Sequence, residues 1–412
     1  MKPLPIRALI IIVLRKILLN KSFPFFNFSF SYNFTMDSNS PKPVVIDNGT
    51  GFIKAGLADE DCPRVIQPTL IGVPKYPGIM VGMDQKDHYI GTEAVEKVEF
   101  LNMSDPIKNG YIENWDDMAK IWSQIFQELN VSSKENPLFF ADTPLTPRSS
   151  REKMAEVMFE TFECPSLYMY TTSVLSLFAS GRTTGLVVDS GEGRTHAVPV
   201  YEGFALPHGI LRLNVAGRDL TDYLLKHYIE YNQTHDFTSL TYQKLVVDIK
   251  EKHCMVAYDF DTLLKNAAEN GGEREEYHLP DNSVMIIGRE KFIIPEAMFQ
   301  PGMIGKDSAG IADTVFKAVS NCDANIRKEL YENILLAGGN CMLKRLKERL
   351  QKDVKALAPS TINIEVAAPP ERGYSAWLGG SILSHLPSFK PMFITKAEYL
   401  DQGALVVYRK CF

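Results

Sequence analysis

Two short glycine turns of matching composition constrain the fold of this chain more than any other feature. Asp47-Asn-Gly-Thr-Gly51 follows the apolar stretch Val44–Ile46, and Asp189-Ser-Gly-Glu-Gly193 follows Leu186–Val188. Glycine permits positive φ angles and close backbone approach, so successive N–H groups can point at one anion. The aspartate that ends each strand can reach a divalent cation directly or through water. Two such turns in equivalent contexts indicate a duplicated domain.

The two turns are either ordinary hairpins or parts of one phosphate-binding site, and a third glycine element favours the second interpretation. One Asp-x-Gly-x-Gly turn alone is more typical of an ordinary hairpin, whereas two that face each other would hold a Mg-triphosphate from both sides. The predicted buried strand Ile334–Ala337 stops at Gly338-Gly339, and a helix is predicted from Asn340 to about Leu357. A glycine pair at such a junction can approach a nucleotide or form a plain tight turn. The helix is predicted to share one apolar face among Leu346, Leu350, Val354 and Leu357.

Composition places the chain among ordinary soluble proteins large enough for two domains. It has 412 residues, of which 45% are hydrophobic and 23% are charged. A net charge of −6 argues against general nucleic-acid binding. The six cysteines show no Cys-x-x-Cys pair and no zinc-like spacing. We therefore expect reduced thiols in the cytosol or nucleus.

Residues 1–35 differ from the remainder. A basic start, the apolar run Ala8–Leu14 and a Phe/Ser-rich stretch resemble the beginning of a targeting peptide. The run is too short to span a bilayer, and no clean small-residue cleavage site follows it. Met36 offers a second start directly before the first predicted strand. We interpret residues 1–35 as an extension absent from the mature protein, with a targeting segment as the alternative.

From Met36 onward, predicted strands and helices are interleaved without low-complexity linkers. Asn114 is the expected N-cap of the amphipathic helix that follows it. The predicted hairpins are Val44–Gly56 and Leu186–Val200, and the predicted helices are Trp115–Leu129, Met154–Phe162 and Val174–Ala179.

From Val44 to Phe412 the chain resembles an actin. The motifs that carry the resemblance include Asn114-Trp-Asp-Asp117, Ala216-Gly-Arg-Asp-Leu-Thr-Asp-Tyr223, Ala368-Pro-Pro-Glu-Arg372 and Arg409-Lys-Cys-Phe412. The resemblance implies an α/β class and the actin fold of actins, sugar kinases and Hsp70-type ATPases, with two duplicated domains around a nucleotide cleft. It implies subdomain 1 at 36–68, 106–179 and 375–412, subdomain 2 at 69–105, subdomain 3 at 180–215 and 307–374, and subdomain 4 at 216–306.

The resemblance also implies ATP or ADP with Mg²⁺ or Ca²⁺ as the ligand, and it assigns site residues. Asp47 and Asp189 would lie near the metal, and Lys54 would supply a point charge for the phosphates. From the residues alone, Lys250 and Glu251 also fit a solvated helix face. The implied nucleotide-binding residues are Asp47, Gly49, Thr50, Gly51, Lys54, Gly191, Glu192, Gly193, Gly217, Lys250, Glu251, Gly338, Gly339 and Met342.

Departures from the family pattern affect the predicted chemistry. His196 matches a water-positioning histidine, but Thr172 stands where actins have a water-positioning glutamine. An error of ~1 Å in placement can cost on the order of 100-fold in rate, so we expect slow or impaired ATP hydrolysis at these two catalytic positions. Glu192 replaces an aspartate and would disturb a water-mediated metal shell or the turn. Arg194 replaces an apolar residue, and either attracts phosphate or lies on the surface.

The part of the predicted site that would contact the nucleoside has lost several of the side chains found in actins. Leu343 stands in place of a tyrosine and Gly373 in place of a lysine, while Val247 and Asn340 replace an arginine and a threonine. Losing an aromatic contact removes ~1 kcal/mol of stacking. We therefore expect weaker ATP binding with less selectivity for the base.

Surface positions give mixed indications about partners. The loop Tyr76–Lys86, with apolar Ile79, Met80, Val81 and Met83, matches the actin loop that inserts into the next subunit. The plug loop Gln300–Lys306 carries Lys306 beside its apolar tip, which weakens the case for a buried contact. The resemblance places actin-binding proteins at a cleft near Phe178, Leu386 and Phe393.

Three function classes follow. The first is a divergent, ATP-binding cytoskeletal actin in the cytoplasm that forms filaments with itself or conventional actin and hydrolyses ATP slowly. The second is a non-polymerising actin-related protein, cytoplasmic or nuclear, that acts as a nucleotide-gated subunit of a larger complex. A kinase or chaperone ATPase is disfavoured, and a degenerate gene copy stays open. No nucleic-acid or membrane partner is expected.

Overall fold

The computed structural model describes residues 41–76, 86–231, 237, 240–270, 274–279 and 283–411. Its strands are β1 (Val44–Asn48), β2 (Phe52–Leu57), β3 (Val65–Pro68), β4 (Ile71–Pro74), β5 (Tyr89–Ile90), β6 (Leu101–Ser104), β7 (Ile107–Lys108), β8 (Tyr111–Ile112), β9 (Leu138–Asp142), β10 (Ser166–Thr171), β11 (Gly185–Ser190), β12 (Thr195–Tyr201), β13 (Phe204–Ala205), β14 (Leu211–Leu213), β15 (Glu275–His278), β16 (Val284–Ile287), β17 (Ile334–Ala337), β18 (Val366–Ala367) and β19 (Ile394–Thr395).

Helices occupy much of the rest of the described chain. The α-helices are α1 (Gly91–Glu96), α2 (Trp115–Glu128), α3 (Arg148–Glu156), α4 (Thr172–Ala179), α5 (Gly217–Tyr231), α6 (Leu240–His253), α7 (Phe260–Asn270), α8 (Glu290–Glu296), α9 (Ile311–Ser320), α10 (Ala324–Glu332), α11 (Leu346–Leu357), α12 (Ser375–His385), α13 (Lys396–Gln402) and α14 (Val407–Lys410). Short 3₁₀ helices include Pro301–Ile304, Gly339–Met342 and Pro370–Gly373, and Val157–Thr161 is a π-helix. None of the described helices is long and apolar enough to cross a membrane.

Two six-stranded sheets repeat one arrangement. The first has the order β19-β10-β9-β1-β2-β3, and the second has β13-β12-β11-β17-β18 with β14 beside β12. In each sheet an antiparallel hairpin, β1–β2 or β11–β12, pairs through its first strand with a parallel strand, β9 or β17. The registers agree as well, because Asp47 lies opposite Lys54 and Asp189 lies opposite His196. This repeat agrees with the predicted duplication.

The two sheets are joined by a pair of closely packed helices. All eight residues of α4 are buried, and α4 contacts both α12 and β11, while α12 contacts β1 and β9 of the first sheet. A Cβ atom at Gly379 would lie 1.9 Å from the Leu175 carbonyl oxygen, so only glycine allows this approach. The helix pair therefore fixes how the hairpins of the two sheets face each other.

Most of the predicted elements are confirmed, and two helix boundaries were wrong. The helix predicted at Met154–Phe162 begins at Arg148 and continues from Val157 as a π-helix. The Asn114 side chain caps α2 by accepting from the Asp117 N–H at 3.1 Å. The helix predicted from Asn340 begins instead at Leu346, because the chain first forms a 3₁₀ turn and Arg345 then adopts a left-handed φ of 64°. Leu346, Leu350 and Val354 are buried as predicted, but Leu357 is 41% exposed. The residues 1–35 and the central part of the predicted insertion loop, 77–85, lie outside the described residues.

Candidate functional site

A cavity of about 560 Å³ lies between the two glycine hairpins. With one exception, every predicted site residue contributes to its lining, including both aspartates, Thr172 and His196. The exception is Gly217, whose N–H donates to the Gly191 carbonyl at 2.9 Å. A Cβ atom at Gly217 would lie 2.6 Å from Glu192 Oε2. Gly217 therefore supports the second hairpin from outside the cavity.

Glycine at the hairpin tips lets the two hairpins touch. A Cβ atom at Gly193 would lie 2.6 Å from Thr50 Oγ1, and one at Gly51 would lie 3.0 Å from Glu192 Cβ. The Thr50 hydroxyl also accepts a hydrogen bond from the Gly110 N–H at 3.0 Å. Larger residues at either glycine would force the hairpins apart and widen the gap in which an anion could be held.

The two strand-end aspartates are held in different ways. Lys54 Nζ donates to Asp47 Oδ2 at 3.0 Å across the first hairpin, and the Thr172 hydroxyl donates to Asp189 Oδ2 at 2.9 Å. Burial raises the pKa of the Asp189 carboxyl; the hydrogen bond from Thr172 opposes this, and the nearby Asp47 carboxylate adds to it. A bound cation would favour the ionised form of both carboxylates.

The donor set fits a hard divalent cation that is shared with phosphate. Asp47 and Asp189 offer carboxylate oxygens at one cavity, which are the ligands that Mg²⁺ and Ca²⁺ prefer. Within the described chain, no group of three or more His, Cys, Asp or Glu side chains is arranged to hold a metal. Mg²⁺ usually takes one or two carboxylates and completes its shell with water and phosphate oxygens. Two carboxylates beside the glycine hairpins supply the protein ligands that such a cation would need.

His196 is a buried, neutral imidazole. Its side chain is 3% exposed, and Nε2 has no hydrogen-bond partner among the described residues. Burial, together with the charges of Arg194 and Arg212, lowers the pKa of His196 to about 4. The imidazole is therefore uncharged at neutral pH and can accept or donate one hydrogen bond at a water in the cavity.

Arg194 does not lie on the surface, so that alternative was wrong. The residue is 7% exposed and lines the cavity. Its guanidinium carbon lies 3.2 Å from the centroid of the Tyr111 ring, in a cation–π arrangement. Sequence reasoning missed Tyr111, because no motif links it to the second hairpin and the contact exists only in the folded chain.

Glu192 points toward cationic side chains of the neighbouring helices. Its Oε2 lies 3.4 Å from Lys250 Nζ on α6, and its Oε1 lies 4.0 Å from Arg218 Nε on α5. The longer side chain is accommodated because Gly217 leaves space beside it. Through these two ion pairs Glu192 connects the second hairpin to α5 and α6.

Lys250 and Glu251 occupy different environments. Lys250 is 4% exposed, and its ammonium group donates to the Gly217 carbonyl at 3.0 Å and to Thr221 Oγ1 at 2.7 Å. The solvated-face alternative was therefore wrong for Lys250. Glu251 is exposed and lines the cavity.

Replacing Lys250 with methionine is expected to lower the free energy of unfolding by about 1–3 kcal/mol, because the Gly217 carbonyl and the Thr221 hydroxyl lose a buried donor. Lys252→Met is the matched control, since the Lys252 side chain is 65% exposed and forms a surface ion pair with Asp248. The control is expected to change stability by less than about 1 kcal/mol. Denaturant unfolding of both variants measures the difference, and equal effects would contradict the account of Lys250.

The third glycine element closes the cavity against the second hairpin. Gly338 has a φ of 88°, and a Cβ atom there would lie 2.3 Å from the Ser190 carbonyl oxygen. Asn340 Nδ2 donates to Ser190 Oγ at 3.0 Å. Met342 is 47% exposed at the rim, beside Leu343 and the open position of Gly373. This end of the cavity is thus lined by the apolar side chains of Met342 and Leu343 and by Gly373.

A family model for actin matches residues 38–412. The chain belongs to the actin family. The two mixed sheets and their helices are those of an actin-type fold. Members of the family generally bind a nucleotide with a divalent metal, and the hairpin cradle and paired carboxylates described above fit such a ligand.

Two surfaces predicted from the actin resemblance lie among the described residues. Phe178, Leu386 and Phe393 at the predicted partner cleft are all buried. In the predicted plug loop, Lys306 Nζ donates to the Asn214 carbonyl and to Asp219 Oδ1 of α5. The lysine therefore binds the loop to its own chain.

Proposed function

We propose that this protein is a divergent actin that binds ATP, hydrolyses it slowly, and forms or joins cytoskeletal filaments. The observation that carries the proposal is the contact between the two glycine hairpins, with Gly338 packed against the second hairpin at the side of the cavity. The Gly49 N–H donates to the Asp47 carbonyl at 3.1 Å and the Gly191 N–H donates to the Arg194 carbonyl at 2.8 Å. The backbone amides of Thr50, Gly51, Glu192 and Gly193 would therefore bind the phosphates, with Lys54 as a point charge. Asp47 and Asp189 would hold Mg²⁺ or Ca²⁺, which when bound polarises the phosphates as a Lewis acid.

Slow hydrolysis follows from the residues that would orient water. His196 presents a neutral imidazole with a free Nε2, but the Thr172 hydroxyl is already engaged by Asp189 at 2.9 Å. A threonine tied to a carboxylate cannot extend to the position that a glutamine amide would reach. The site would therefore bind the nucleotide but place an attacking water poorly.

Filament formation is proposed from the family, and one observation favours the alternative. The plug loop is bound to α5 through Lys306 and Asp219, and it must separate from α5 before it can extend to another subunit. A loop held in this way fits a non-polymerising actin-related protein that serves as a nucleotide-gated subunit. Residence in the cytoplasmic cytoskeleton is proposed for the first role, and a nuclear site is compatible with the second.

High-speed sedimentation distinguishes the two roles. The full chain, first shown to be monodisperse, is spun in Mg-ATP and salt, alone and with conventional actin. We expect it to appear in the pellet in at least one of these mixtures. A nucleotide-bound protein that stays in the supernatant in both contradicts the filament role and supports the alternative. If Lys306→Met then pellets, the contact with Asp219 accounts for the difference.

A further inference from the structure

Two buried side chains beside the second hairpin have unsatisfied nitrogen atoms. Arg194 and His196 are 7% and 3% exposed, and both line the cavity. Arg194 Nε and His196 Nε2 have no hydrogen-bond partner within the described part of the chain. Arg194 directly precedes β12 and His196 is the second residue of that strand, and both side chains line the same cavity. Buried polar groups normally have partners, so both nitrogens are suited to a ligand in the cavity.

Arg194 differs from the other cationic residues around the cavity. Lys54 is paired with Asp47 at 3.0 Å, and Lys250 lies 3.4 Å from Glu192. Arg372 donates to the carbonyls of Cys341 and Pro369. No ion pair found in the described residues includes Arg194. Among the described residues, Arg194 is thus the cationic side chain of the cavity for which neither a carboxylate nor a carbonyl partner is found.

The stack on Tyr111 holds the guanidinium in a defined orientation. The ring packs on one face of the planar group, and Nε at its edge has no hydrogen-bond partner among the described residues. A Cβ atom at Gly110 would lie 2.9 Å from Arg194 Cδ, so the turn between β7 and β8 is shaped around this side chain. The same Gly110 donates to Thr50 in the first hairpin. Arg194 is therefore fixed where the two phosphate hairpins meet.

We propose that Arg194 determines specificity for the phosphate chain, by donating to oxygens of a terminal phosphate that a nucleoside diphosphate lacks. This inference rests on the proposed nucleotide function. A planar guanidinium matches phosphate geometry through paired hydrogen bonds, and the position next to Gly193 places it at the phosphate end. Tyr111 is the positioning residue for this contact.

The test compares affinities for Mg-ATP and Mg-ADP, measured by calorimetry, in the wild type and Arg194→Met. We expect the variant to lose roughly 10- to 100-fold in ATP affinity, as for hydrogen bonds to a charged group, with ADP affinity unchanged. Arg148→Met is the matched control, because Arg148 also stacks on a tyrosine, Tyr408 at 5.0 Å, but lies outside the cavity lining. The control should keep the wild-type ratio.

The inference is overturned if the ratio of ATP affinity to ADP affinity is the same in Arg194→Met as in the wild type, whether both affinities are retained or both fall equally. If Arg194→Met does not fold, Arg194→Lys replaces it. The lysine keeps the positive charge but lacks the planar guanidinium. If the ratio of ATP affinity to ADP affinity is not reduced in that variant, the inference is overturned.

Inorganic phosphate separates this inference from the proposed function. If the wild type binds neither nucleotide, the proposed function fails, and thermal unfolding in sodium phosphate against sodium chloride at equal ionic strength decides the role of Arg194. A melting temperature raised by phosphate in the wild type and in Arg148→Met, but not in Arg194→Met, supports an anion contact at Arg194. The same response in all three proteins overturns it.

Discussion

Replacing Gly338 with alanine is expected to destabilise the protein and abolish nucleotide binding. Gly338 has a φ of 88°, and an added Cβ atom would lie 2.3 Å from the Ser190 carbonyl oxygen and 2.9 Å from Asp189 Oδ1. The unfavourable backbone conformation and the steric clash together cost about 2–4 kcal/mol. Relief of the clash moves the third element away from the second hairpin and opens the cradle. Thermal unfolding and a nucleotide titration measure the two effects.

Gly339→Ala is the control for this prediction. A Cβ atom at Gly339 has no neighbour within 4 Å, and its φ is not positive. We expect its stability to remain within about 0.5 kcal/mol of the wild type. Because Gly339 itself lines the cavity, this control applies to the stability effect. Equal behaviour of the two alanine variants would show that the close approach at Gly338 does not shape the site.

Replacing Thr172 with glutamine is expected to accelerate ATP hydrolysis on the order of 100-fold. The longer amide would extend past the hydroxyl that now donates to Asp189 and would orient a water together with His196. The magnitude corresponds to correcting a misplacement of ~1 Å at the reacting water. Release of inorganic phosphate from protein loaded with one ATP measures the rate of a single turnover.

Thr172→Val tests whether this gain comes from the amide. Valine keeps the shape of threonine but removes the hydrogen bond to Asp189. We expect hydrolysis in this variant to stay as slow as in the wild type or slower. If valine accelerates hydrolysis as much as glutamine does, the Asp189 contact rather than the missing amide limits the rate.

The local arrangement of the site could be predicted because it is encoded in short segments. Each phosphate hairpin joins two apolar strands through glycines, so strand, turn and aspartate are readable within a few residues of Asp47 and Asp189. The strand Ile334–Ala337 was likewise clear from its uninterrupted apolar run. Positions that lie next to a turn therefore followed from sequence.

Contacts between distant segments could not be predicted. Lys250 sits in a charged stretch that looks solvated, yet it is buried because Gly217 and Thr221 on α5 supply acceptors. Arg194 is oriented by Tyr111 from another hairpin. The delayed start of α11 has a related cause, since the left-handed Arg345 interrupts a pattern that remains periodic in sequence.

The most direct test of the account is the fate of bound ATP in the wild-type protein. The full chain is incubated with Mg-ATP and separated from free nucleotide, and its bound nucleotide is identified by chromatography over time. The account predicts about one nucleotide per chain, still present as ATP long after conventional actin filaments have converted theirs to ADP. Protein that carries no nucleotide, or that holds ADP from the earliest time point, would contradict it.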